Sequence, residues 1–347
     1  MNRAWINWAI KTIEADYTRS ADTHLIRLDL KSHPDILVYL KDESTHPTGS
    51  LKHRLARSLF LYALCNGKIH ENTPIIESSS GSTAVSEAYF AKLLGLPFIA
   101  VVPKSTAQEK INQIEFYNGQ CHLVEQTDQI YAESKALAAK MNGFYMDQFT
   151  FAERATDWRG NNNIAESIFK QMADEPFTIP SWIVMSPGTG GTSATLGRYI
   201  RFQQYDTQLL VVDPEHSVFY DYYKTKKSDL THHCGSKIEG IGRPRVEPSF
   251  IPGVVDEMLK VPDQASIAAM HWLNGKLGRR VGPSSGTNIW GVLNRVEQMK
   301  KAGETGAIVS LICDSGERYL NTYYDNEWVE SSIGDFIHHN DYLKQFF

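Results

Sequence analysis

Lys52 lies in the turn-rich stretch His46-Pro47-Thr48-Gly49-Ser50-Leu51-Lys52-His53-Arg54, at the mouth of a helix that the pattern starts near Ser50. A lysine amine forms Schiff bases with carbonyl compounds, and desolvation or a neighbouring positive charge makes it nucleophilic near neutral pH. Lysine is also common on the first turn of helices, so Lys52 alone assigns no chemistry. Ser186-Pro187-Gly188-Thr189-Gly190-Gly191-Thr192 adds to it. This loop follows the apolar run Trp182-Ile183-Val184-Met185 and precedes a helical pattern, which makes a strand, a glycine loop and a helix. Glycines let backbone N–H groups turn inward, and the helix N-terminus adds partial positive charge, so the unit suits a phosphate group. No Gly-Lys-Ser/Thr closes it as in a Walker A loop, and Ser193 occupies the third glycine position of the dinucleotide pattern. A mononucleotide or a phosphorylated cofactor remains.

Glu77-Ser78-Ser79-Ser80-Gly81-Ser82-Thr83-Ala84 ends a second apolar strand and opens a second helix. Hydroxyls and free N–H groups crowded at a helix N-terminus suit a carboxylate, which accepts several donors and is favoured by the helix dipole. One or two serines there would be ordinary caps. The hydroxyls of Ser78, Ser79, Ser80, Ser82 and Thr83 together exceed what a cap uses.

These motifs resemble the fold-type II pyridoxal-phosphate enzymes of the cysteine synthase and cystathionine β-synthase family. Lys52 matches the family's Schiff-base lysine, Ser79 to Thr83 its Thr-Ser-Gly-Asn-Thr substrate loop, and Gly188 to Thr192 its Gly-Thr-Gly-Gly-Thr phosphate loop. Further matches at Lys237-Ile238-Glu239-Gly240-Ile241-Gly242, Gly282-Pro283-Ser284-Ser285-Gly286 and Ser315-Gly316-Glu317-Arg318-Tyr319-Leu320 extend the resemblance over about residues 20–325. It implies pyridoxal 5'-phosphate as cofactor, with Lys52 as its covalent anchor and then the base for the substrate Cα proton. Gly188, Thr189, Gly190, Gly191 and Thr192 would hold the 5'-phosphate, and Ser284 would meet the pyridine nitrogen. Ser79, Ser80, Gly81, Thr83 and Gln148 would receive the substrate α-carboxylate. The chain departs from the pattern at Ser82, which replaces the asparagine beside the cofactor's phenolic oxygen, at Ala84 in place of glycine, and at His46 in place of asparagine.

The run Ser-Ser-Gly-Ser-Thr-Ala-Val-Ser-Glu-Ala is similar to that of a bacterial L-cysteine desulfhydrase subgroup. The expected activity is therefore β-elimination on L-cysteine through an aminoacrylate, giving sulfide, pyruvate and ammonia. Cysteine synthase chemistry on O-acetylserine and sulfide is the alternative, and deamination of serine or threonine differs only in the leaving group. A non-catalytic scaffold, with Ser82 marking decay of the site, is the reading from another class. Retention of Lys52, the phosphate loop and Ser284 speaks against it.

The elements that would carry these loops alternate in the manner of an α/β fold. Apolar runs predict strands at 36–41, 74–78, 97–102, 121–125, 181–186, 208–213 and 307–312. Helical periodicity predicts helices at 52–65, 83–94, 106–117, 130–141, 161–173, 191–204, 264–277 and 286–301. Trp5 and Trp8 read as part of an amphipathic N-terminal helix, and the aromatic run Phe219 to Tyr223 reads as a loop. The expected class is α/β, two domains in three layers around parallel and mixed sheets, like the tryptophan synthase β-subunit. Residues 1–49 and 153–347 would form the larger phosphate-binding domain and residues 50–152 the smaller substrate-loop domain.

The chain has 347 residues, 42% of them hydrophobic, so a large core is within reach, and a formal net charge of -5 gives no electrostatic case for nucleic acid or anionic membrane. No apolar stretch approaches a membrane span of roughly 18 residues, and no signal-peptide core is present, which sets the expectation of a cytoplasmic enzyme. Cysteines 65, 121, 234 and 313 show no paired spacing, and His232-His233-Cys234 is too contiguous to chelate one ion, so no disulfide and no metal is expected. A homodimer and a small amino-acid substrate complete the expectation.

Overall fold

The computed structural model describes residues 2–126 and 129–346. In chain order the strands are β1 (Leu25–Leu28), β2 (Ile36–Asp42), β3 (Ile75–Glu77), β4 (Phe98–Pro103), β5 (Gln120–Val124), β6 (Phe144–Tyr145), β7 (Trp182–Met185), β8 (Gln208–Pro214), β9 (Glu257–Val261) and β10 (Gly306–Ile312). The helices are α1 (Arg3–Thr18), α2 (Lys52–Cys65), α3 (Ser82–Leu93), α4 (Gln108–Glu115), α5 (Ile130–Lys140), α6 (Gln148–Ala155), α7 (Ile164–Met172), α8 (Gly191–Phe202), α9 (Phe219–Thr225), α10 (Asp263–Leu277), α11 (Pro283–Ala302), α12 (Asn326–Ser332) and α13 (Asn340–Lys344). Every strand and helix expected from apolar runs and periodicity is found, with ends within three residues of the expected ones. The aromatic run Phe219–Thr225 is a helix, not a loop.

The chain divides into two compact units, Met1–Asp22 with His46–Thr156 and Thr23–Thr45 with Asp157–Phe347. The first unit is built on a four-stranded, wholly parallel sheet in the order β5-β4-β3-β6. Side chains alternate across such a sheet. Ile75, Phe98, Ala100 and Val102 join the core packed with Ala56, Leu59, Phe60 and Ala63 of α2 and Ala84, Ala88 and Ala91 of α3. Ile76, Ile99 and Val101 lie in a second cluster with Ala138 of α5. Helix α1 presents Ala9 and Ile13 to the first of these cores. Residues 1–22, expected with the larger domain, therefore pack in the smaller unit, held by burial of that stripe.

The second unit is a six-stranded sheet in the order β1-β2-β10-β7-β8-β9. All its pairings are parallel except β1 with β2. The central strands β10, β7 and β8 are buried along nearly their whole length, as strands covered on both faces must be. Helices α10 and α11 contribute Ala265, Ala268, Ala269, Leu273, Ile289, Val292 and Val296 to the core beside Val184, Leu210, Val212 and Ile308. Parallel strands followed by helices leave the strand ends and helix starts together, where open α/β sheets hold their ligands.

Candidate active site

In the first unit Lys52 is the first residue of α2, half-buried, with its N–H donated to Ser50 Oγ at 3.2 Å. The next residue, His53, is buried and anchors this turn. Its Nδ1 is 3.2 Å from Thr48 Oγ1, which is 2.9 Å from Ser86 Oγ of α3. The His53 ring lies 4.8 Å from that of Phe90 and 5.1 Å from those of His46 and Tyr89. The backbone ahead of the lysine is thus tied to α3 by hydrogen bonds and ring contacts, and His46 is part of the clamp.

The loop after β3 leads to α3, whose N-cap, Gly81, supplies no side-chain bond. Ser79, Ser80, Gly81 and Ser82 are partly accessible. Ser79 Oγ accepts the Gly81 N–H at 3.3 Å. Thr83 is buried and donates to Gln148 Oε1 at 2.7 Å, which joins the serine loop to the start of α6. Gln148 follows Asp147, a left-handed residue at φ 47°. The sequence expectation grouped Ser79, Ser80, Gly81, Thr83 and Gln148, and the structure links Gln148 to that loop directly through Thr83.

Beneath the loop stand residues that sequence reasoning left without a role. Glu77 is fully buried, and burial pushes its carboxyl up to about 7. Its Oε1 accepts the Ser78 N–H at 2.6 Å and the Ser78 hydroxyl at 3.1 Å, and its Oε2 accepts the Gln148 N–H at 3.1 Å. Because the Ser78 proton goes to Glu77, the Tyr145 hydroxyl at 2.6 Å is the donor to Ser78 Oγ. Glu87 of α3 is equally buried and raised well above the carboxyl range, first by desolvation and then by the Glu77 charge. A glutamate four residues after Thr83, among Ala84, Val85 and Ala88 on a buried helix, was the available signal.

In the second unit β7 runs into the loop Ser186 to Gly190 and then α8. Gly190 is left-handed at φ 91°, and a Cβ there would stand 2.4 Å from Phe250 Cα. Ser193 and Thr195 turn their hydroxyls back onto the carbonyls of Gly190 and Gly191, each at 2.9 Å. The first N–H groups of α8 are therefore left without a side-chain cap, save for Thr189 Oγ1, 3.3 Å from the Gly191 nitrogen. Gly188 and Thr192 are partly accessible on either side of the buried Thr189, Gly190 and Gly191. Ser186 Oγ, buried at the end of β7, has no partner among the described residues. At the start of α11, Ser284 is buried and its hydroxyl makes no hydrogen bond among the described residues, whereas Ser285 Oγ accepts the Cys313 N–H at 3.0 Å. Of the two adjacent serines, Ser285 is committed to the fold.

The family described as pyridoxal-phosphate dependent enzyme matches residues 19–314. The chain belongs to this family. It is 59% identical to L-cysteine desulfhydrase Cds1 of Mycobacterium tuberculosis, over 95% of this chain and 91% of that protein. It is 33% identical to a putative pyridoxal-phosphate dependent protein of Caenorhabditis elegans, over 96% of this chain and 82% of the relative. A putative cysteine synthase of Sinorhizobium fredii is more distant at 27%, over 88% of this chain and 89% of the relative. Among solved structures, O-ureido-L-serine synthase shares the fold with a TM-score of 0.78 at 23% identity, covering 92% of this chain and 95% of its own. The α/β class with parallel and mixed sheets, fold type II among pyridoxal-phosphate enzymes, is thereby established.

The cofactor is pyridoxal 5'-phosphate, and the second unit carries a turn suited to its phosphate. A helix start whose N-cap glycine supplies no side-chain bond, an orphaned serine hydroxyl and a glycine whose Cβ would strike the backbone of Phe250 are features that suit an anion. Elsewhere, Glu215, His216 and Asp263 bring ligand-type atoms within 4.8 Å of one another, but Glu215 Oε1 already accepts the Asp263 N–H that opens α10, at 3.2 Å. His232, His233 and Cys234 are exposed. No helix among the described residues is long and apolar enough to cross a membrane.

Proposed function

We propose that this chain is an L-cysteine desulfhydrase: with pyridoxal phosphate it eliminates the β-thiol of cysteine and, with one water, yields sulfide, pyruvate and ammonia. The observation that carries this reading is the 59% identity to a cysteine desulfhydrase over 95% of the chain. The bound cofactor supplies an electron sink for the Cα carbanion. In this reading Lys52 anchors the cofactor through its amine and, once released, takes the substrate Cα proton. Gly188, Thr189, Gly190, Gly191 and Thr192 hold the 5'-phosphate through N–H groups at the positive end of α8. Ser284 offers its uncommitted hydroxyl to the pyridine nitrogen, and Ser82 stands by the phenolic oxygen. Ser79, Ser80, Gly81, Thr83 and Gln148 receive the α-carboxylate, with Gln148 Oε1 occupied by Thr83 so that its amide N–H groups face the ligand. The enzyme works on a free amino acid in the cytoplasm as a homodimer, and the half-exposed Trp8 offers apolar surface for the second copy.

The test is product analysis. Purified holoenzyme given cysteine alone should release sulfide and pyruvate in equal amounts, with sedimentation at the mass of a dimer. Borohydride should fix the cofactor to Lys52, and Lys52→Ala should abolish turnover. Turnover only when O-acetylserine and sulfide are supplied together would replace this reading with cysteine synthesis, and an inability to take up cofactor would favour a scaffold.

A further inference from the structure

Behind the proposed carboxylate cradle lies a pair of carboxyls that no step of the elimination uses. Glu77 closes β3, and Glu87 lies on α3 four residues after Thr83, hence on the same helix face. Both are wholly buried. Glu77 takes donors on both oxygens, two from Ser78 and one from the Gln148 N–H. Neither oxygen of Glu87 receives a hydrogen bond from a donor among the described residues, and the charge that faces it is that of Glu77. Two buried carboxylates side by side cannot both stay ionised. Glu77, served by N–H and O–H donors, is the one able to carry the negative charge. Glu87 then keeps its proton, for which the Glu77 carboxylate is the adjacent acceptor.

We propose that Glu87 donates its proton to Glu77, and that this one-proton pair is the positioning element which holds Gln148 and the Ser78–Thr83 loop in register to receive the substrate α-carboxylate. The inference rests on the cradle reading above. It ties both walls of the cradle to one group: Glu77 grips the Gln148 backbone and Ser78, while Thr83 grips the Gln148 side chain. The other titratable groups facing Glu77 are Asp147, ahead of Gln148, and Tyr145, whose hydroxyl serves Ser78. Neither supplies positive charge. With Glu77 held near 7 by burial, its acceptor form is lost as pH falls through that value, so cysteine affinity declines on the acid side.

The test compares Glu87→Met, similar in size but without a donor, with Glu87→Gln, whose amide can donate without titrating. In the holoenzyme, Glu87→Met should raise KM for cysteine roughly tenfold, the loss of one hydrogen bond to a charged group, with kcat within about twofold of the parent. Glu87→Gln should restore the parental KM. Infrared spectra above neutral pH should show a buried carboxylic acid carbonyl in the parent that is missing from Glu87→Gln. An unchanged KM in Glu87→Met, or no acid carbonyl in the parent, overturns the proposal. Should Glu87→Met not fold, the infrared comparison decides. Thr83→Val and Gln148→Met separate the two levels: if they leave KM unmoved the cradle reading fails, and if they raise it while Glu87→Met does not, only the carboxyl pair fails.

Discussion

At position 190 the backbone itself selects the residue. A left-handed φ of 91° costs an L side chain about 1–2 kcal/mol, and the Cβ would also lie 2.4 Å from Phe250 Cα and 2.7 Å from the Phe250 nitrogen, neither of which can swing aside. Gly190→Ala is therefore expected to lower stability by at least about 2 kcal/mol in urea unfolding, from the φ penalty and the overpacking together. It should also push apart the turn whose N–H groups cradle the phosphate, so that dialysed protein loses its cofactor absorbance while the parent keeps it. Local constraint of this kind is why the Gly188 to Thr192 loop could be read from sequence: the loop works through its own backbone, and glycine is the visible trace. The pairing of Glu87 with Glu77 is of the opposite kind. It exists only because α3 folds back along β3, so sequence shows a charge on an apolar helix face and says nothing of its partner.

Among elements, α1 is the amphipathic helix that its sequence suggests, with Trp5 packed against the core of the first unit. Trp8 is 48% exposed, and the buried stripe is Ile6, Ala9 and Ile13, spaced at three and four residues. Two polar bonds fix its rotation: Glu14 pairs with the buried Arg57 at 2.8 Å, and Asp16 accepts the Tyr89 hydroxyl at 2.9 Å. Since Arg57 is on α2 and Tyr89 on α3, α1 braces the two helices that begin at Lys52 and at the serine loop. Ile13→Ala should cost about 2–5 kcal/mol, the range for truncating a buried aliphatic side chain, measured as a fall in the denaturation midpoint at unchanged m-value. Helix α9 is less legible. Phe219 to Tyr223 are aromatic on every face, so no period of 3.6 stands out, and the helix start is fixed from a distance by Asp213 Oδ2, which accepts the Tyr220 N–H at 2.8 Å. Strand β6 has two residues, too short for any alternation, and it exists because Phe144 and Tyr145 pair with Ile75 and Ile76 of β3.

Across the described residues the unusual feature is a set of buried acids in which desolvation outweighs every nearby hydrogen bond and cation. Burial pushes Glu77 from 4.5 to about 7, Asp213 from 3.8 to about 7 and Asp263 from 3.8 to about 6, and it also raises Glu87 well above its ordinary value. Groups whose folded value lies above the unfolded one hold their protons more tightly in the folded state. Folding is thus penalised increasingly as pH rises from about 4 towards the folded values near 6 and 7, and the penalty is constant above them. Three histidines, one buried and two partly buried, act in the other direction. His33, His271 and His339 are lowered below 6.5 by burial, so the unfolded chain gains protons there as pH falls beneath 6.5, and this limits stability on the acid side. The carboxyls, displaced by two to three pH units, dominate near neutrality. The melting temperature should therefore climb as pH is lowered through about 7 towards 6, the reverse of a protein whose acids are held down by salt bridges. Asp213→Asn removes one of these titrations while keeping an oxygen for the Tyr220 N–H, so its melting temperature should vary less steeply over the same interval. A parent whose stability rises steadily from pH 6 to 8 would show that these acids are ionised at little cost, with water or counter-charge reaching them.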